Sequence, residues 1–292
     1  MSELEGYETT NNNRDGLLME DPNNGGADDR THQIDQLGTW KSYCYSHEGL
    51  ELIFSSIILA SAFTVECIDL DPRQRPIPYQ QLESTGDYIL NQVYNESFEG
   101  ETISPGELFL YGAIFPFALQ MLLSFSLGRS DIHKTACVYC TAIGLTILLT
   151  NSAKLYAGYL RPLFYEVCVP DDNYEYCSSG DDNGARKSFP SGHSSLSFCG
   201  LGLLSFYLER RFGVSSLRAW RQDSVSGELV MTQTRAVRLE RIKSIFCYTP
   251  ILLAGFIAVS RIVDNKHFPA DVVGGSILGA TVASWVHGIW YE

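Results

Sequence analysis

Three permanent cations stand where the chain leaves apolar stretches. Lys154 and Arg161 lie seven residues apart after one apolar run, and Arg261 lies near the end of another. Arginine presents a planar fork that pairs with two phosphate oxygens at once, and ionisable groups at the edge of a membrane are usually functional. The three side chains therefore predict a phosphate-binding site. Arg161 taken alone has an alternative role, because a single arginine at the end of a span commonly extends its head to the lipid surface.

A turn that leads into an apolar run supplies a second element for an anion. Pro190 and Ser191 precede Gly192 and His193 at this point of the chain. The backbone N–H groups and the dipole at a helix N-terminus favour negative charge, and glycine lets the backbone approach a ligand closely. This turn is therefore predicted to favour an anion, and His193 is free to protonate a leaving alkoxide as a general acid.

His267 and Asp271 are four residues apart, so one helical turn would bring the carboxylate beside the imidazole. A carboxylate on one ring nitrogen fixes the tautomer and leaves the other nitrogen as a nucleophile. The pair could also ligate a metal, but the other two stretches offer mainly cations, which repel one, so we predict neither a metal nor another cofactor. Together the groups suit phosphoryl transfer through a phosphohistidine. The residues alone do not decide whether His267 or His193 is the nucleophile.

Six apolar runs position these stretches, and each approaches the roughly twenty residues that a membrane span needs. A soluble helical protein is the alternative, but so many runs with few internal charges favour an all-α, polytopic membrane protein with a helical-bundle active site. The predicted spans are 50–65, 106–127, 136–156, 194–207, 244–263 and 271–291.

Lysine and arginine in the connecting segments predict which way the spans point. The segment between spans four and five is rich in arginine, whereas the segment between spans one and two is acidic. The basic segment belongs in the cytoplasm, so both termini are predicted to be cytoplasmic. The three polar stretches then face the outside or a lumen, at the plasma membrane or an internal membrane.

The first forty-five residues are predicted to be a disordered, acidic cytoplasmic tail, because Asn, Asp and Gly dominate them. Residues 46–292 form the predicted six-span domain. The net charge of −13 argues against a nucleic-acid partner. Cys168 and Cys177 bracket a polar loop and would form a disulfide on an oxidising side, and the sequon at Asn95 predicts glycosylation there.

The three stretches, in order and spacing, resemble the signature of the type 2 phosphatidic acid phosphatase (PAP2) superfamily. They read Lys154-x6-Arg161-Pro162, Pro190-Ser191-Gly192-His193 and Ser260-Arg261-x5-His267-x3-Asp271. With six spans, the chain looks most like the eukaryotic lipid phosphate phosphatases of that superfamily. The resemblance covers about residues 50–291 and implies that His267 is the nucleophile, that Asp271 is its partner and that His193 protonates the leaving group. It also implies phosphate binding by Lys154, Arg161, Ser191, Gly192 and Arg261.

The resemblance implies a metal-independent enzyme that hydrolyses phosphatidate, lysophosphatidate or a sphingoid phosphate within the membrane. A polyprenyl or diacylglycerol pyrophosphate phosphatase and a sugar-phosphate phosphatase are alternatives with the same chemistry. A membrane scaffold that has lost activity is an alternative of another class, although such a protein would usually lack a histidine or a cation of the signature. Membrane lipid is the other expected partner, and a homo-oligomer is compatible with the sequence.

Overall fold

The computed structural model describes most of the chain after residue 45. The predicted acidic tail lies outside the described residues. So does the greater part of the predicted basic segment between spans four and five. The described ranges are 46–68, 70–98, 100–125, 129–179, 182–214 and 241–291.

The described part is mostly helical, with two short hairpins. The helices are α1 (His47–Cys67), α2 (Pro105–Phe125), α3 (Arg129–Ala157), the short α4 (Phe164–Val167), α5 (Gly192–Arg211), α6 (Thr249–Val263, which continues helical residues from Arg241) and α7 (Pro269–Tyr291). The strands are β1 (Tyr79–Gln81) paired with β2 (Tyr88–Leu90), and β3 (Val169–Pro170) paired with β4 (Cys177–Ser179), both antiparallel. The predicted all-α, polytopic fold class is confirmed.

Five of the described helices are long and apolar enough to cross a membrane, namely α1, α2, α3, α6 with its preceding residues, and α7. The fourth predicted span lies within α5, which is not one of them. At 20 residues α5 would be about 30 Å long, but serine and glycine recur along it. The count of six spans and the side that each end faces remain predictions.

Helix α5 is polar for a span because protein surrounds it. Most of its side chains are buried, and it packs against α2, α3, α6 and α7. Small residues allow this packing: a side chain at Gly200 would collide with the Gly112 carbonyl of α2, and one at Gly279 of α7 would collide with the Ser195 carbonyl of α5. Close backbone approach of this kind is how helices associate in membranes. The core therefore lies along α5.

The start of α2 is fixed by a capping box. Ser104 Oγ accepts a hydrogen bond from the Glu107 backbone, and Glu107 Oε2 accepts one from the Ser104 backbone at 2.8 Å. Pro105 fills the first helical position, where its missing N–H costs nothing. The S-P-G-E sequence thereby sets where the long connection after α1 enters the bundle.

The connections between α1 and α2 and between α3 and α5 pack on each other at one end of the bundle, which we call the site end. Their shared core contains Ile77, Leu160 and Phe164. Cys168 and Cys177 are joined by a disulfide beside it, so the covalent link closes the loop that carries β3 and β4. Asn95 is exposed in the first of these connections.

Candidate active site

The three polar stretches meet at the site end around a cleft of about 340 Å³. Phosphate-binding candidates Lys154, Arg161 and Arg261 line it from three different segments of the chain, and both histidines face it. The remaining candidates, Ser191 and Asp271, are fully buried directly behind the lining. The folded chain thus brings all of the predicted site residues together. The lining also includes Gly192, His193 and His267.

Lys154 projects from the last turn of α3 toward the N-terminus of α5. A Cβ on Gly192 would lie 3.0 Å from Lys154 Nζ, so glycine leaves room for the ammonium against the helix end. Ser191 is the N-cap of α5, and its Oγ accepts a 3.4 Å hydrogen bond from Ser194. Its own N–H donates to the Asp271 carbonyl at 3.0 Å. The Lys154 ammonium and the N-terminus of α5 therefore face the same part of the cleft.

Arg161 lies on the loop after α3, where its backbone N–H donates to the Ala185 carbonyl at 2.8 Å. Burial lowers the pKa of its guanidinium, while the carboxylates of Asp271 and Glu101 oppose that shift. Among the described residues, its Nε has no hydrogen-bond partner. A buried donor without a partner is costly, and a bound phosphate would satisfy it.

Arg261 is almost completely buried, with 1% of its surface exposed. Nη2 donates to Asp264 Oδ2 at 2.5 Å, and Nε donates to Ser260 Oγ at 3.2 Å. Nη1 lies 3.3 Å from His193 Nε2. Because a guanidinium only donates, that contact requires an unprotonated Nε2 on His193. One edge of the guanidinium is therefore fixed, and Nη1 faces the cleft.

His267 follows α6 and is held by its backbone, whose N–H donates to the Arg261 carbonyl at 3.2 Å. Its Nδ1 lies 3.8 Å from Asp271 Oδ2, which is longer than a hydrogen bond. Burial lowers the pKa of His267 to about 4; the nearby cations Arg161 and Lys154 act in the same direction, and Asp271 opposes them. The imidazole is consequently neutral near pH 7, as a nucleophile must be.

Asp271 is oriented by groups that the sequence reasoning did not identify. Its Oδ2 accepts hydrogen bonds from Ser188 Oγ at 2.6 Å and from the Phe268 N–H at 3.0 Å. Its Oδ1 has no partner in the described part of the chain. Ser188 is itself buried. The position of Ser188, two residues before Pro190, was the available signal.

Asp264 and Thr102 were also missed. Asp264 lies within the third stretch and contacts Arg261, so its charge and spacing could have indicated a role. Thr102 donates to both carboxylate oxygens of Asp264, from its N–H at 3.0 Å and its hydroxyl at 2.5 Å. The two residues are 162 positions apart in the sequence, so no local pattern predicts their contact.

The donors around the cleft suit an anion better than a metal ion. Its carboxylates, Glu66 and Glu101, lie among four basic side chains. Within the described ranges, one group of potential ligand atoms is close enough for a metal: Cys168, Cys177 and Asp182. The two sulfurs of that group are already bonded to each other.

The apolar wall of the cleft comes from the helices that flank the phosphate-binding groups. Phe63 of α1 meets Phe109 of α2 edge to face, with their ring centroids 6.0 Å apart. The other apolar lining residues are Pro105, Leu108, Ile147 and Leu196. A ligand in this cleft would contact charge on one side and hydrocarbon on the other.

Comparisons with known proteins agree with this geometry. A family profile described as the PAP2 superfamily matches residues 135–292. Lipid phosphate phosphatase 1 of Arabidopsis thaliana is 28% identical over 206 residues, which are 66% of this chain and 56% of that protein. Lipid phosphate phosphatase 2 of the same plant is 30% identical over 189 residues, 61% of this chain and 58% of the relative. Diacylglycerol pyrophosphate phosphatase 1 of Saccharomyces cerevisiae is 28% identical over 231 residues, 73% of each chain.

The match to the two plant relatives thus spans little more than half of their length. No solved structure matches the chain.

Proposed function

Because the chain belongs to the PAP2 superfamily, we propose that it is an integral-membrane phosphatase that hydrolyses lipid phosphate monoesters. The observation that carries the proposal is the cleft itself. Three cations and a helix N-terminus surround a neutral imidazole, and that imidazole has a buried carboxylate at its far side. Such a set of donors stabilises the charge of a transferring phosphoryl group.

The proposed reaction has two steps. In the first, His267 Nε2 attacks phosphorus, the P–N bond forms, and the bond from phosphorus to the lipid oxygen breaks. His193 gives its proton to the leaving oxygen, which departs as the lipid alcohol. In the second, His193 takes a proton from water, the resulting hydroxide attacks the phosphohistidine, and inorganic phosphate leaves as His267 is restored. Asp271 stabilises the charge on the His267 ring during both steps.

Arg261 links the two histidines in this scheme. Without substrate, its Nη1 lies 3.3 Å from His193 Nε2, which must be unprotonated there. A phosphate in the cleft competes for Nη1, and His193 Nε2 is then free to carry the proton that the leaving oxygen needs. The proposal thus assigns general-acid chemistry to the substrate-bound site.

The apolar wall supports a lipid substrate. A sugar phosphate would leave Phe63, Phe109 and Leu108 facing a hydroxylated ring, whereas an acyl or sphingoid chain would bury them, at about 25 cal/mol per Å² of apolar surface. The yeast relative's name makes diacylglycerol pyrophosphate the second candidate substrate. A catalytically silent scaffold is less well supported, because the cleft retains both histidines and all three cations.

Phosphate release by the purified full-length protein in detergent micelles tests the proposal. The substrates are phosphatidate, lysophosphatidate, a sphingoid phosphate, diacylglycerol pyrophosphate and glucose 6-phosphate, each with and without EDTA. We expect phosphate release from the lipid monoesters. EDTA should leave the rate of release unchanged, and vanadate should inhibit it. Faster release from the pyrophosphate would favour the second candidate, release from glucose 6-phosphate alone would contradict the lipid assignment, and rescue of an EDTA-treated sample by magnesium would contradict metal independence.

We also propose that the site end faces the outside or a lumen, with both termini in the cytoplasm. The disulfide between Cys168 and Cys177 lies at this end, and Asn95, the predicted glycosylation acceptor, is exposed there. Impermeant labelling of a cysteine introduced at Asp172, on intact vesicles of known orientation, tests the assignment. A cysteine that replaces Asp172 should be labelled, and one that replaces Ser226 should be protected. The opposite pattern would mean that the site end faces the cytoplasm.

A further inference from the structure

The segment Gly100–Ser104, which we call the strap, crosses the site end just before α2 begins. Its C-terminal end is fixed by the capping box of Ser104 and Glu107. Its middle is held to the loop after α6, since Glu101 forms an ion pair with Lys266 at 3.4 Å and Thr102 binds Asp264. The strap is thus tied at two points and contacts the segment that carries Arg261 and His267.

Within the described ranges, the hydrogen bonds to the Asp264 carboxylate all come from Arg261 or from the strap. Oδ1 accepts the Thr102 hydroxyl at 2.5 Å, and Oδ2 accepts both the Thr102 N–H at 3.0 Å and Arg261 Nη2 at 2.5 Å. Asp264 and Arg261 are both nearly fully buried. A buried ion pair contributes little stability compared with an apolar pair of the same size, so stability alone does not account for this one.

The geometry of the guanidinium indicates what the ion pair does. Asp264 occupies Nη2 and Ser260 occupies Nε, so the group cannot rotate about its long axis. Nη1 is left facing the cleft beside His193. Preorganised donors aimed at developing charge are the most effective electrostatic catalysts, because they do not reorient during the reaction. Arg161 differs, because its Nε has no hydrogen-bond partner in the described part of the chain.

We propose that Asp264 is the positioning residue of Arg261 and that Thr102, on the strap, holds Asp264 in place. The inference rests on the proposed function for the identity of the anion, which is a phosphate group. It adds to that function a dependence of phosphate binding on the connection between α1 and α2, which contributes nothing to the three signature stretches. A shift of the strap would turn Nη1 away from the phosphate position.

The test measures binding and activity separately in six variants. Binding of inorganic phosphate is followed by isothermal titration calorimetry, and kcat/KM is measured on a lipid phosphate monoester. Thr102→Val removes only the hydroxyl, Thr102→Ser restores it, and Thr85→Val is the matched control on the exposed β1–β2 turn. Asp264→Asn removes the carboxylate charge beside Nη2, Arg261→Lys is made alone, and the two substitutions are also combined.

We expect Thr102→Val to weaken phosphate binding and to lower kcat/KM about tenfold, the effect of one lost charge-assisted hydrogen bond. Thr102→Ser and Thr85→Val should match the wild type. Asp264→Asn should lower kcat/KM about a hundredfold, by the loss of a preorganised donor. In the background of Arg261→Lys the same substitution should have little further effect, because lysine has no fork to position.

Three results would overturn the inference: Thr102→Val and Thr85→Val behaving alike, effects of Asp264→Asn and Arg261→Lys that multiply in the double variant, or a wild-type protein that does not bind inorganic phosphate. A wild-type protein that binds phosphate but releases none from lipid would contradict the proposed function instead. In that case the calorimetric comparison still decides the role of Asp264.

Discussion

Buried polar groups are hydrogen-bonded differently at the two ends of the helical bundle. At the end opposite the site, Ser124 Oγ bonds both Thr135 Oγ1 at 2.8 Å and Tyr207 OH at 2.9 Å, and Thr135 bonds Tyr291 OH at 3.1 Å. The Arg210 guanidinium covers the Tyr291 ring at 4.2 Å. Hydroxyls from α2, α3, α5 and α7 satisfy each other there.

The site end instead keeps ionisable groups incompletely paired. Three atoms have no hydrogen-bond partner within the described ranges, namely Arg161 Nε, His267 Nδ1 and Asp271 Oδ1. Unpartnered atoms near the other end, on Gln120 and His287, belong to an amide and to an imidazole outside the cleft. An unsatisfied buried polar atom costs about 1–3 kcal/mol, more if charged. The hydroxyls of the opposite end satisfy each other, whereas the cleft leaves the Arg161 Nε donor for the proposed phosphate.

Removing the proposed nucleophile of the site end should have the largest effect on activity. We expect His267→Ala to lower kcat/KM at least about ten-thousandfold, as loss of a covalent nucleophile does elsewhere, and to leave no phosphoenzyme. His193→Ala should still form a phosphoenzyme from an ester with a good leaving group, because it lacks only the proton donor. Rapid quenching with a labelled substrate measures both.

His47→Ala is the matched control for these histidine variants, since His47 is exposed at the start of α1. Its kcat/KM should equal that of the wild type. More than trace activity in His267→Ala would refute the assigned nucleophile.

Changing Arg161 should have the next largest effect. Arg161→Lys keeps the charge and loses the fork, so we expect kcat/KM to fall about a hundred- to a thousandfold, equivalent to roughly 2.7–4 kcal/mol. An arginine that only extends to lipid head groups would tolerate lysine. A near-normal kcat/KM, in a variant whose thermal melt is unchanged, would indicate that Arg161 only extends to the lipid head groups.

A smaller change concerns pH. The neutral form of His267 is the proposed nucleophile and its pKa is lowered to about 4, so we expect its contribution to kcat/KM to be complete at neutral pH and to be lost as pH falls through about 4. Arg161 contributes to that lowering. Arg161→Gln should therefore raise the pKa of His267 and move the acidic limb to higher pH.

The pH profile of the variant is compared with that of the wild type on one substrate, since titration of the substrate itself is common to both. An acidic limb that stays in place, or that moves to lower pH, would show that Arg161 does not act on His267.

The smallest effect on activity is expected at the opposite end. Tyr207→Phe removes one hydroxyl from the chain around Ser124 and should lower the free energy of unfolding by about 1 kcal/mol. A thermal melt measures this loss, and kcat/KM should be unchanged. A fall in kcat/KM with no change in melting temperature would mean that the two ends are not independent.

The sequence predicted the residues that line the cleft better than the residues that hold them in place. Cations, helix N-terminus and histidines follow from residue types and spacing, because each motif is local. Thr102 and Ser188 act through contacts that only the folded chain creates, across 162 and 83 positions. The predicted fourth span, residues 194–207, covers only part of α5 (Gly192–Arg211). Hydropathy measures affinity for lipid, whereas the middle of α5, between Ser194 and Leu208, is mostly buried against other helices.

The polarity of α5 has a consequence for how the protein enters the membrane. A helix inserts singly when lipid is a better solvent for it than water, and serines and glycines along α5 reduce that preference. Its surface is instead complementary to α7, through Gly275 and Gly279, and to α2, through Gly112. Insertion of α5 should therefore be delayed until α7 has been synthesised. The site end would then be assembled only after α7 has been made.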